Sequence, residues 1–297
     1  MTVQELDSLI QLLTSRPVPE NPPAAEMRER FEKLADYLPV PAGTTVESVD
    51  AGGVPSEWVT AQGVTGNRVI LYLHGGGYVI GSLNTHRALA SNMSAAAQAR
   101  VLVIDYRLAP EHPFPAAVDD AVAAYGWLLD QGIAAANIAV SGDSAGGGLT
   151  IATLVALRDK GLAMPACAVP ISPWVDMEGL GESMTALHDA DPMVQKPGLD
   201  RMAGMYLGDA DPRSPLAAPL YADLTGLPPL LIQVGTRETL LDDSRRLHRN
   251  ALAAGVNSSL EEAGGMIHVW HLFGPMLSEA REAIGRAGAF MQANSAA

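Results

Sequence analysis

Apolar and polar positions follow two rhythms along this chain, and the rhythms take turns. Short apolar runs rich in β-formers fall near 69–73, 101–105, 137–141, 167–172, 229–235 and 258–262, with earlier strand candidates near 44–50 and 56–61. Between them, apolar residues recur at helical spacing over about 86–98, 116–131, 145–159, 239–254 and 276–293. In the last stretch Ala280, Ile284, Ala287, Phe290 and Met291 form one stripe, a face for core packing. Strand alternating with helix predicts an α/β fold, a mostly parallel sheet covered by helices on both faces.

Two regions break the alternation. Residues 1–40 carry helical patterns over 3–13 and 23–37, joined by the proline-rich Arg16-Pro17-Val18-Pro19-Glu20-Asn21-Pro22-Pro23. Residues 178–212 have helical potential around 197–206 and little strand character, with Met177, Met184, Met193, Met202 and Met205 in or beside them. Flexible thioethers suit an adaptable apolar wall, although methionine also fills gaps in ordinary cores. The expected organisation is a helical cap from 1–40 and 178–212 over a core of 41–177 and 213–297. No internal repeat is visible.

Chemistry gathers at the strand ends. The run Ile138-Ala139-Val140 leads into Gly142-Asp143-Ser144-Ala145-Gly146, a serine between glycines where a buried strand must turn into a helix. Such a turn lifts the hydroxyl off the sheet edge and sets it beside free backbone N–H groups at the positive end of the helix. Upstream, Val69-Ile70-Leu71-Tyr72-Leu73 ends in His74-Gly75-Gly76-Gly77-Tyr78. Glycines leave amides uncovered, so this glycine run can supply one half of an oxyanion hole and the N–H of Ala145 the other.

A serine hydroxyl needs a general base, usually a histidine oriented by a carboxylate. Among 7 histidines, His268 and His271 lie far enough past the serine to follow a late acid-bearing strand. His268 follows Gly264-Gly265-Met266-Ile267, a loop able to carry its ring to Ser144. His271 reads as structural at a helix start, and His248 as one residue of a solvated helical face. A metal held by His268 and His271 would need a third ligand nearby, so no metal is expected. The acid should sit just past Leu230-Leu231-Ile232-Gln233-Val234-Gly235. Glu238 is nearest that strand end; Asp242 is the rival, a helical turn later, where acids commonly serve the helix dipole.

Composition narrows the classes. The hydrophobic share of 48% over 297 residues can fill a large core. A formal charge of −14 with 19 Lys and Arg, none in a basic run, argues against nucleic acid. Cys167 is the 1 cysteine, set in an apolar run, and reads as a buried structural thiol. The N-terminus shows no basic segment followed by an apolar one, and no apolar run reaches the ~18 residues of a membrane span. A cytoplasmic location is the expectation.

Four segments together resemble the bacterial branch of the hormone-sensitive-lipase family of α/β-hydrolases. They are His74–Tyr78, Asp105-Tyr106-Arg107-Leu108-Ala109-Pro110-Glu111, Gly142–Gly146 and Gly265-Met266-Ile267-His268, and the likeness runs from about residue 65 onward. The resemblance implies an eight-stranded α/β-hydrolase sheet with a helical cap, and carboxylic-ester hydrolysis without a cofactor. With 4 Phe, 4 Trp and no long apolar surface helix to bind a lipid interface, the expected substrate has a short acyl chain, hydrolysed through an acyl-enzyme. The resemblance assigns Ser144, Glu238 and His268 as the triad, with Gly76, Gly77 and Ala145 at the oxyanion. It also allows a homodimer through the C-terminal sheet edge. The family usually has aspartate in a D-x-L-x-D arrangement where this chain has Glu238-Thr239-Leu240-Leu241-Asp242, which keeps Asp242 in contention. A second departure is His268-Val269-Trp270, where the family commonly has glycine and an aromatic. His74, Gly75 and Asp143 are expected to brace the oxyanion loop, and Arg107 and Glu111 to form an ion-pair or hydrogen-bond network behind it. Amide or carbamate hydrolysis on the same triad, or a non-catalytic small-molecule receptor of the same fold, are the alternatives.

Overall fold

The alternation of strands and helices is realised in a computed structural model that describes residues 3–15 and 22–296. Most of the proline-rich link, 16–21, lies outside the described residues. The chain opens with α1 (Val3–Thr14) and α2 (Ala24–Glu32), then β1 (Thr45–Asp50), β2 (Pro55–Thr60) and β3 (Val69–Leu73). Next come α3 (Leu83–Ala97), β4 (Arg100–Ile104), α4 (Ala116–Asp130), β5 (Ile138–Asp143) and α5 (Ala145–Asp159). After β6 (Cys167–Ile171) come two helices, α6 (Ser183–Ala186) and α7 (Lys196–Leu207). The chain closes with β7 (Leu230–Gly235), α8 (Leu241–Ala253), β8 (Ser258–Ala263) and α9 (Ser278–Asn294).

The strands form one eight-stranded sheet in the order β1-β2-β4-β3-β5-β6-β7-β8. β1, β2 and β4 pair antiparallel, and every pair from β4 through β3 to β8 is parallel. The period of two within each strand decides which core a residue joins. On β3, Val69, Leu71 and Leu73 enter one apolar cluster while Ile70 and Tyr72 enter the other, and β4 splits Leu102 and Ile104 from Val101 and Val103 in the same way. Helices α4, α5 and α8 cover the first face; α1, α3 and α9 cover the second. All five β3 side chains are buried, as expected of a parallel strand sandwiched between helices. Among the described residues no helix is long and apolar enough to cross a membrane.

Register places the chemistry. Leu73 pairs with Gly142 across β3 and β5, so His74 and Asp143 leave the sheet side by side. Asp143 pairs with Ile171, and Ile171 with Gln233, which brings the ends of β6 and β7 to the same edge. In open α/β sheets, ligands bind at the carboxyl ends of the strands.

Candidate active site

Ser144 stands between β5 and α5 with φ 53° and ψ −120°, a conformation that non-glycine residues rarely adopt. Holding it there costs about 1–3 kcal/mol, which the surroundings must supply. They do so through three backbone bonds: the Ser144 N–H donates to Ile171 at 2.8 Å, and its carbonyl accepts from Gly148 at 3.0 Å and Trp174 at 2.9 Å. Gly146 is required by close approach, since a Cβ there would run into the carbonyls of Leu73 and His74. The helix α5 begins at Ala145, so its first amides have no acceptor a turn before them.

The glycine loop is held from behind. Asp143 Oδ1 accepts from the Tyr72 hydroxyl at 2.7 Å and from the Gly75 N–H at 3.2 Å, and His86 lies 3.4 Å from Oδ2. Burial pushes the Asp143 carboxyl up, but His86 and the Tyr72 hydrogen bond outweigh it and hold it below the usual range. His74 donates from Nδ1 to the Gly75 carbonyl at 2.8 Å and stacks on Tyr106 at 4.2 Å. Burial, reinforced by His86, lowers its pKa to about 3, so its imidazole stays neutral. At Gly77, with φ 61°, a Cβ would run into the Met202 sulfur, so this stretch of the cavity wall has no room for a side chain.

On the other side of Ser144, His268 Nδ1 lies 2.7 Å from Glu238 Oε2, both side chains being almost fully buried. The second Glu238 oxygen accepts from Ser172 Oγ at 2.9 Å and from the Gly235 N–H at 2.5 Å. Burial disfavours charge on His268, yet Glu238, helped by Asp191 and Asp143, raises its pKa above the ordinary 6.5. Ser144, His268, Gly76 and Gly77 line one cavity of about 300 Å³ whose walls include Leu13, Phe31, Met193, Leu199 and Met202. A hydroxyl, an imidazole paired with a carboxylate, and the Gly76–Gly77 backbone at one apolar cavity are the kinds of group that acyl transfer requires.

Asp242 faces elsewhere. Its carboxylate accepts from the Ser183 N–H at 2.8 Å and lies 3.4 Å from Arg245, in the first turn of α8. Arg107 and Glu111 each form an ion pair, with other residues rather than with each other: Arg107 with Asp120 of α4 at 2.7 Å, and Glu111 with Arg28 of α2. Both pairings are long-range, and Arg28 is the residue that reaches the glycine loop, donating to the Val79 carbonyl at 2.8 Å. His248 is half-buried rather than solvated, bonded to Ser258 of β8 at 2.9 Å. His271 is buried and 2.9 Å from the Gln233 side chain, and burial lowers its pKa to about 3. Sequence reasoning missed Ser172, which donates to Glu238 and accepts from the Val269 N–H at 3.2 Å. Its place directly after β6, beside the end of β7, was the available signal. Among the described residues no cluster of three or more His, Cys, Asp or Glu could hold a metal ion.

Comparison with known proteins gives a consistent picture. The family model described as alpha/beta hydrolase fold matches residues 70–272. An acetyl-hydrolase of Streptomyces hygroscopicus is 49% identical, covering 89% of this chain and 87% of that protein. A crystal structure of an esterase from the bacterial hormone-sensitive lipase family superposes with a TM-score of 0.96 at 49% identity, covering 99% of each chain. The esterase EstE5, in crystals soaked by p-nitrophenyl butyrate, superposes with a TM-score of 0.95 at 51% identity, covering 98% of each chain.

Proposed function

The chain belongs to the α/β-hydrolase family, in its bacterial hormone-sensitive-lipase branch, and is a carboxylic ester hydrolase; on that premise we propose that Ser144, His268 and Glu238 are its nucleophile, general base and orienting acid. The observation that carries this reading is the 2.7 Å contact of His268 Nδ1 with Glu238, which leaves Nε2 to take a proton from Ser144 in the same cavity. Ser144 attacks the ester carbonyl as His268 accepts its proton. The amides of Gly76, Gly77 and Ala145 receive the oxyanion, each donor being worth about 3 kcal/mol in comparable sites. His268 then protonates the leaving alcohol, and water repeats the sequence on the acyl-enzyme.

The substrate in this proposal carries a short acyl chain. A cavity of about 300 Å³ with apolar walls offers limited room. An acetyl-hydrolase among the similar proteins, and EstE5 soaked by p-nitrophenyl butyrate, support the same size class. The cap in this reading comprises 1–40 and 178–212. Leu13, Phe31, residues 192–195, Gly198, Leu199 and Met202 support it by lining the cavity, although Leu6 and Leu9 of α1 pack into the core layer with α3 and α9. A second copy adding to the open edge of β8 would give a homodimer.

A series of p-nitrophenyl esters tests the proposal. Each added methylene gains about 0.8 kcal/mol only while it is buried, so kcat/KM should peak between roughly two and eight acyl carbons and then fall. A maximum on long-chain triglycerides with activation at an oil–water interface would contradict it. No turnover of any ester would favour the receptor alternative.

A further inference from the structure

Asp191 sits in the loop between α6 and α7, is 2% exposed, and takes no part in the mechanism above. Its Oδ1 accepts from the N–H groups of Met193 at 2.9 Å and Val194 at 3.0 Å. That half is a local turn of the kind aspartate and asparagine form equally well. The other oxygen does something a local turn does not need. Oδ2 accepts from the Thr239 N–H at 2.9 Å, and the Thr239 hydroxyl lies 3.3 Å away, shared with the Val194 carbonyl at 3.2 Å. Thr239 directly follows Glu238, while Met193 and Val194 form a wall of the substrate cavity.

We propose that Asp191 is a positioning residue of this esterase: its carboxylate clamps the cavity wall 192–195 to the turn that carries Glu238, so that wall and acid–base pair are held as one unit. The proposal rests on Glu238 and His268 acting as assigned above. All the donors to Asp191 are neutral N–H or O–H groups, so the site asks for an acceptor at both oxygens. An asparagine would satisfy one side and set its own N–H₂ against a donor on the other. Because no donor cancels its charge, the Asp191 carboxylate also acts on His268 through a poorly screened interior. Four titratable groups bear on His268: Glu238 after β7, Asp143 at the end of β5, Asp191 in the loop, and His271 in the following turn. Asp191 thus stabilises the imidazolium that forms as Ser144 gives up its proton.

The test is D191N beside T239V, compared with wild type by pH profiles of kcat/KM, thermal melts and titration of competent sites with a phosphonate. In D191N, kcat/KM per titrated site should fall by up to about 10²-fold, the scale of a small misplacement of reacting groups. Its acid limb should move to lower pH, since a negative charge that favours the protonated imidazole is gone. T239V loses only the hydroxyl and keeps the charge, so its kcat/KM should fall less and its acid limb stay in place. D191N with a lowered melting temperature but wild-type kcat/KM and acid limb would overturn the proposal, as would T239V at full activity should D191N not fold. A phosphonate adduct on a residue other than Ser144 in the wild type would instead remove the triad reading on which the proposal rests.

Discussion

Glu238 works with both of its oxygens. One faces His268, and the other is fixed by Ser172 and the Gly235 N–H. Glu238→Gln keeps the shape, removes the charge that stabilises the imidazolium, and places an amide donor where one of the oxygens was. It should lower kcat by up to about 10⁴, the scale of the comparable change in other triads. Glu238→Asp keeps the charge with a shorter reach and should retain much of the activity. Asp242→Asn, whose carboxylate faces the Ser183 N–H and Arg245, should leave kcat near wild type and change stability by about 0.3–1 kcal/mol. Steady-state kinetics on the three variants decides it: an inactive D242N beside an active E238Q would transfer the role of acid to Asp242.

Strands and helices were legible in the sequence because each has a single periodic cause. The apolar run at 69–73 became β3 with the same limits, and the 145–159 pattern became α5. Ends were less legible, because capping and tertiary contacts set them. The helix expected from 86 starts at Leu83, where Ser82 and Thr85 form a capping box. The one expected from 239 starts at Leu241, because Glu238 is buried in the preceding turn. The 23–37 pattern ends as a helix at Glu32 and resumes as a short 3₁₀ turn over Ala35–Tyr37. Within the site, the serine, the glycine loop and the late histidine were legible because each follows a strand that ends at one sheet edge. Ser172, Asp191 and Arg28 were not. Arg28 reaches Glu111 across 83 positions, and Asp191 reaches Thr239 across 48, distances over which no local pattern carries information.

At the scale of the molecule, buried titratable groups set stability and activity in different pH windows. His74 and His271, with pKa values lowered to about 3, stay neutral in the fold but take up protons when unfolded. Their contribution is present above the ordinary 6.5 and is lost as pH falls below it. Asp243, raised to about 7 by burial, and His268, raised above 6.5, act in the opposite sense: the stability they give is lost as pH rises through their folded values. Thermal midpoints should therefore peak near about pH 6.5. In the proposed mechanism His268 must be neutral to take the Ser144 proton, so kcat/KM should go on rising above that peak. Melts and kinetics on the same samples check this, and an acid limb of kcat/KM centred below pH 6.5 would contradict the raised pKa of His268. The central claim is that Ser144 is the nucleophile and that His268 activates it. The most direct measurement is peptide-level mass spectrometry after reaction with a phosphonate, its rate followed against pH. The account predicts a single adduct on the Ser144 peptide, forming faster as His268 loses its proton, and none in Ser144→Ala, whose residual turnover should be only about 10³–10⁴ over water. An adduct on another serine, or full ester turnover by Ser144→Ala, would contradict it.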